Sequence, residues 1–264
     1  MSDNAPASDA VAVDLEVIGN VLVMKINRPE ARNAVNGAVA NGIEAGIDRL
    51  EEDDSLWTGV LTGTSEFFCA GADLKLINAG KAGEMMTAKG GFAGIVTRER
   101  TKPIIAAVEG PALAGGLEIV LSCDLLVASN ESRFGIPEVK RNLVAAAGGV
   151  FRLPRLLPRN VAFEMGLTGD PISAQRAHDL GLVNELSAPG FALESALGLA
   201  KRVTTCAPLA VQATRKLMLE LKDADDETGL RRSGEVMVEL AGSEDFGEGL
   251  TAFIEKREPQ WKGR

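Results

Sequence analysis

Two periodicities alternate along the first two-thirds of the chain. Leu15 to Ile26, LEVIGNVLVMKI, reads as two short strands turning at Gly19-Asn20, a dipeptide suited to a tight hairpin. GAVANGIEAGIDRLEED then shifts to helical spacing, with Val39, Ile43, Ile47 and Leu50 on one face. WTGVLTG (57–63), PIIAAVEG (103–110) and DLLVAS (124–129) are apolar runs of strand length. GGLEIVLSC, between the last two, has helical character. Strands separated by helices predict an α/β fold with a largely parallel sheet.

Near Pro189 the pattern changes. FALESALGLAKRVTT, PLAVQATRKLMLELK, ETGLRRSGEVMVELAG and SEDFGEGLTAFIEKR follow as helices without strands between them. Ser243 is placed as the N-cap of the last. The predicted organisation is a disordered arm over residues 1–10, an α/β core over 11–200 and a helical region over 201–264. The final helices have apolar faces and little sheet to cover, so self-association is expected.

Composition narrows the chemistry. A formal net charge of −9 over 264 residues argues against binding nucleic acid or an anionic membrane. The longest apolar stretch, Ile104 to Leu121, is interrupted by Glu109 and Glu118 and makes a poor membrane span. Cys69, Cys123 and Cys206 are odd in number and form no CxxC, so neither a disulfide framework nor a zinc site is expected, in keeping with a reducing cytoplasm. The opening MSDNAPASDA has neither the basic nor the apolar part of a signal peptide. The single histidine, His178 in ISAQRAHDLGL, is expected on a helix surface, and one histidine rules out a His-rich metal site. No G-x-S-x-G, G-x-G-x-x-G or G-x-x-x-x-G-K-[ST] occurs. Carboxylate chemistry supported by backbone donors remains.

The candidate site lies where local rules are broken. In PALAGGLE (111–118) a carboxylate follows two glycines inside a run otherwise fit for a core. If Gly115 and Gly116 open a helix, their N–H groups point outward unpaired, able to hold an oxygen on which charge develops. FCAGADL (68–74) is a second glycine loop after the preceding strand, and in a parallel sheet both loops leave at the carboxyl edge. Glu118 shares a helix face with Gly115. Glu138 follows Pro137 in FGIPEVK, a first-turn position. Two glutamates beside an oxyanion hole suggest acid–base work on a carbonyl compound. Arg28 with Arg32, and Lys256 with Arg257, are local basic patches for an anionic ligand.

These motifs resemble the crotonase, or enoyl-CoA hydratase, superfamily. INRPEARNAV, FFCAGADLK, KPIIAAVEGPALAGGLEIVLSCDLLVAS with FGIPE after it, LTGDPISAQRAHDLGLVNEL and AFIEKREPQW match the family's segments in order, over nearly the whole chain. The resemblance implies a spiral of ββα units with a C-terminal helical trimerisation region, assembled as a homotrimer or a dimer of trimers. It implies Ala70 and Gly115 as the oxyanion donors, and Glu118 and Glu138 as the catalytic pair. Ala70, Gly71, Ala72 and Asp73 would contact coenzyme A, together with Arg28, Arg32 and Lys256, the last reaching from a neighbouring subunit. The activity implied is addition of water across a 2-enoyl-CoA thioester, with no metal or separate cofactor, coenzyme A being part of the substrate. PEVKRNLVAAAGGVFRLPR is similar to the carnitinyl-CoA dehydratase branch. An isomerase and a non-catalytic CoA-binding scaffold are the competing readings. Against the common hydratase pattern, Ala114 replaces the first of three glycines, a change expected to matter little. INAGKAGEMMTAKGGFAGI (77–95) is expected to line the acyl pocket with its methionines.

Overall fold

The computed structural model describes residues 11–264; the arm predicted over 1–10 lies outside them. The first elements are β1 (Val13–Ile18), β2 (Val21–Ile26), α1 (Gly37–Glu52), β3 (Thr58–Thr62), α2 (Leu74–Asn78), β4 (Met86–Thr87) and β5 (Gly91–Phe92). The centre of the chain supplies β6 (Ile104–Val108), β7 (Pro111–Leu113), α3 (Gly115–Val120), β8 (Leu125–Ser129), β9 (Arg133–Gly135), α4 (Gly149–Leu156) and α5 (Arg159–Thr168). Then come β10 (Ile172–Ser173), α6 (Ala174–Asp179), β11 (Glu185–Ser187), α7 (Ala192–Thr204), α8 (Pro208–Glu220), α9 (Asp226–Ala241) and α10 (Glu244–Glu255).

The main sheet has the order β1-β2-β3-β6-β8-β11. Its β1–β2 pair is the antiparallel hairpin predicted at Gly19-Asn20, and every other neighbour is parallel. Every residue of β3 and β6 is buried, as strands covered on both faces require. One face carries α1, where Val39, Ile43, Ile47 and Leu50 are fully buried as their spacing predicts. The other face is covered by α7 through Ala196, Leu199 and Ala200 against Val23, Val60 and Ile105. The helices after α7 have no sheet beneath them and leave Leu230, Val238, Phe253 and Ile254 exposed. Ser243 caps α10, its Oγ accepting from the Phe246 amide at 3.2 Å.

The sequence pattern does not reveal a second, three-stranded sheet in the order β10-β9-β7. Its strands have two or three residues each, too short for a period to show. This small sheet, and not the main one, positions the site. β7 and β9 run parallel with Leu113 beside Gly135, and Cys69 forms a parallel bridge to Ala112. Three chain segments therefore leave the same edge together: the 70–73 loop, α3, and the 3₁₀ turn Pro137–Arg141.

Candidate active site

The 70–73 loop has four amides, and three are occupied. Ala70 N–H donates to the Arg32 carbonyl at 3.1 Å, and Asp73 N–H to that of Val35 at 2.9 Å. Gly71 N–H faces the Cys69 sulfur at 3.3 Å. Only the Ala72 amide finds no acceptor among the described residues. Its nitrogen lies 3.4 Å from where a Cβ on Gly115 would stand. This corrects the expectation for Ala70, whose amide is consumed by Arg32; the free donor lies two residues further on. Asn33 sets up that pairing. It is buried and left-handed (φ 55°), accepts from the Arg28 amide at 2.8 Å and donates to the Phe67 carbonyl at 2.7 Å. Nothing in the local pattern singles Asn33 out, because the acceptors of its side-chain amide, Thr64 and Phe67, lie far along the chain.

Gly115 is the first residue of α3, and its amide also lacks an acceptor among the described residues, since Leu117 and Glu118 both return to the Ala114 carbonyl. The two glycines are fixed by close contacts. A Cβ on Gly115 would stand 2.6 Å from the Phe92 ring, and one on Gly116 would stand 2.1 Å from the Cys69 carbonyl oxygen. Ala114, beside the Gly115 donor, bears a conformational cost. It sits at φ 52°, ψ −128°, a region natural only to glycine, so replacing the family's usual residue there stores backbone strain.

Glu118 is buried on α3, one turn beyond Gly115, and its Oε1 accepts from the Gly149 amide at 2.9 Å. Burial pushes its carboxyl above the ordinary range, while the Gly149 and Ala147 amides and Arg152 pull it partly back. Glu138 stands at the start of the 3₁₀ turn, half-buried, with Oε2 enclosed and without a hydrogen-bond partner among the described residues. Burial, aided by the negative charge of Glu118, pushes it up to about 7. The negative charge of Glu118 is thus felt at Glu138, whose own carboxyl lies near neutrality. Gly149 links them. Its amide holds Glu118, and it lines a cavity of about 290 Å³ that also takes in Glu138, Ile136, Val139, Leu153 and Leu167. A Cβ on Gly149 would lie 3.2 Å from Glu118 Oε1 and 2.8 Å from that of Ala145, so the position is closed to side chains. The AAAGG run before α4 was the available sign of this support.

The remaining expected residues divide. Arg28 and Asp73 pair with each other at 2.9 Å, and Arg28 also donates to the Ala34 carbonyl. Together they brace the loop. Arg32 is exposed, with its guanidinium over the Phe67 ring. Lys256 ends α10 in a left-handed conformation, and its ammonium joins no hydrogen bond or ion pair among the described residues. The 77–95 segment is a 3₁₀ turn and the β4–β5 hairpin, with Met85 in the core and Met86 exposed, so its methionines do not form the cavity beside Glu138. His178 lies exposed on α6, as predicted. Among the described residues, no group of three or more histidine, cysteine or acidic side chains could hold a metal ion.

A short mixed sheet whose parallel β7–β9 edge presents unpaired amides beside two raised carboxyls defines a site built to polarise a carbonyl and move a proton. Comparison with known proteins agrees with that class. The family model described as enoyl-CoA hydratase/isomerase matches residues 16–264. A 2,3-dehydroadipyl-CoA hydratase of Escherichia coli is 36% identical over 92% of this chain and 96% of its own. A carnitinyl-CoA dehydratase of Proteus mirabilis is 37% identical over 96% and 99%. The crystal structure of an enoyl-CoA hydratase from Mycobacterium tuberculosis superposes with a TM-score of 0.93 at 45% identity, covering 97% of this chain and 100% of that one. The chain belongs to the enoyl-CoA hydratase/isomerase family, as its resemblance to the crotonase superfamily implied.

Proposed function

We propose that this protein is a hydro-lyase that adds water reversibly across the 2,3 double bond of a 2-enoyl-CoA thioester. The thioester oxygen sits between the Ala72 and Gly115 amides, which stabilise the negative charge it gains as the enolate forms; one such donor is typically worth about 3 kcal/mol of barrier. Ionised Glu118 takes a proton from a water whose oxygen bonds to the β-carbon. Protonated Glu138 delivers a proton to the α-carbon, and the site finishes with the proton moved from one carboxyl to the other. Dehydration is the same path with the roles exchanged. Coenzyme A is part of the substrate, and the step uses only protein groups and water.

The observation that carries this reading is the raised Glu118 and Glu138 carboxyls, the first felt electrostatically by the second, on the same sheet edge as the two free amides. The apolar cavity beside Glu138 supports an aliphatic acyl group as the occupant. The names of the curated relatives support a hydratase or dehydratase over an isomerase. Exposed Leu230, Val238, Phe253 and Ile254 support a trimer or dimer of trimers, in which Lys256 reaches the coenzyme of a neighbour. No helix among the described residues is long and apolar enough to cross a membrane, and three unpaired cysteines fit a cytoplasmic location.

Assaying the purified protein with crotonyl-CoA and longer 2-enoyl-CoAs tests the proposal. The expected product is the 3-hydroxyacyl-CoA, one water heavier. A shifted double bond at unchanged mass would make the protein an isomerase, and no turnover on any chain would favour the scaffold reading.

A further inference from the structure

Arg152 lies in the first turn of α4, three residues past Gly149. Its Nη1 donates to Ser122 Oγ and its Nη2 to the Val96 carbonyl at 2.7 Å. Ser122 Oγ in turn donates to the Glu118 carbonyl at 2.8 Å. Val96 belongs to the turn of chain that begins at Phe92, the ring packed on Gly115. One guanidinium therefore joins the start of α4, the end of α3 and the loop over the free amide. Gly148 makes room for it, since a Cβ there would stand 3.0 Å from Nη1.

We propose that Arg152 is a positioning residue, whose forked guanidinium locks α4 against α3 and so keeps the Gly149 amide on the Glu118 carboxylate. This rests on the reading of Glu118 as the group that activates water. Both acceptors of Arg152 are neutral, so no carboxylate cancels its charge at those bonds, and the charge is felt at Glu118. The other ionisable groups around Glu118 and Arg152 are Glu138 on the adjacent turn, Arg100 and Arg155, and the Cys123 thiol, which burial pushes up to about 12 and so keeps neutral. Lysine at this position would keep the charge and lose the fork.

Arg152→Met, Arg152→Lys and Ser122→Ala in the full chain separate these effects. The first readout is amide hydrogen exchange at Gly149, which needs no substrate. Exchange is expected to quicken at least about tenfold in Arg152→Met and less in the other two, as the local structure opens more easily. Equal protection in all three variants overturns the proposal. The second readout is hydration kinetics. In Arg152→Met, kcat is expected to fall about a hundredfold with little change in KM, the scale of effect that a slightly misplaced group produces. Its acid limb should also move to higher pH, because Glu118 becomes harder to ionise; Arg152→Lys should return the limb but not the full rate. A lower kcat with an unmoved limb in Arg152→Met would reduce Arg152 to a structural brace. If Arg152→Met does not fold, Gly149 exchange in the other two variants decides. An inactive parent protein would refute the hydratase reading, and the exchange readout would still stand on its own.

Discussion

A Cβ on Gly71 would stand 2.9 Å from the Gly115 amide nitrogen and 2.8 Å from Ala114 Cβ. The two glycines thus meet with nothing but backbone between them, and Gly71 also has φ 99°. A side chain on Gly71 would crowd the Gly115 amide, where the proposed mechanism seats the thioester oxygen. Gly71→Ala is expected to lower kcat/KM by a factor on the order of a hundred or more, as losing an oxyanion donor does. Circular dichroism would verify that the chain still folds. Steady-state rates within a few-fold of the parent would remove the Gly115 amide from the mechanism.

Glu138 sets the pH dependence. Its carboxyl is raised to about 7, so hydration, which needs it protonated, should decline as pH rises through about 7. Dehydration starts from the same singly protonated pair with the proton on Glu118, and the overall reaction neither takes up nor releases a proton, so its kcat/KM should decline over the same range. Parallel kcat/KM profiles in the two directions, measured on one enzyme preparation, are the expected result, and opposite slopes would contradict it. Glu138→Gln should cut hydration by orders of magnitude while leaving thioester affinity nearly intact.

The same shift is a statement about stability. Below its unfolded value Glu138 is neutral in both states and costs nothing; between there and about 7 the unfolded chain ionises it while the folded chain keeps it neutral, so stability falls as pH rises, and the full cost is reached above about 7. Glu138→Gln should therefore be as stable as the parent near pH 4 and more stable at pH 8, by on the order of 1–2 kcal/mol once solvent screening is allowed for. Urea unfolding at the two pH values measures the difference. A constant offset would mean that burial does not raise this carboxyl.

Ala114 carries strain that glycine would relieve, at φ 52° and ψ −128°. Ala114→Gly should stabilise the protein by about 1 kcal/mol, the relief of strain outweighing the added freedom of the unfolded chain. A lower denaturant midpoint would contradict this.

Gly166 offers a handle on chain length. It lines the 290 Å³ cavity, and a Cβ there meets only Ile136 Cδ1, at 3.6 Å. The Cβ is accommodated at ordinary contact distance, and the rest of a leucine side chain would extend into the cavity. Gly166→Leu should spare crotonyl-CoA and lower kcat/KM on long enoyl-CoAs. An unchanged preference across an acyl-CoA series would place the acyl chain elsewhere.

The sequence by itself determined the elements long enough to show a period: the hairpin at Gly19-Asn20, the buried face of α1, the parallel strands of the main sheet and the Ser243 cap. It also singled out Glu118 and Gly115, because a carboxylate after two glycines in an apolar run breaks local rules conspicuously. Tertiary structure alone decided which loop amide is free. Ala70 and Ala72 look alike in FCAGADL, and only the return of Arg32 and Val35 beside that loop leaves the second of them unpaired. It also decided the states of the two carboxyls. Their burial, and the Gly149 amide that steadies Glu118, come from segments brought together by strands too short to leave a pattern. Local chemistry chooses which residues stand ready to act; hydrogen-bond partners and dielectric surroundings, supplied from afar, decide which of their atoms remain available.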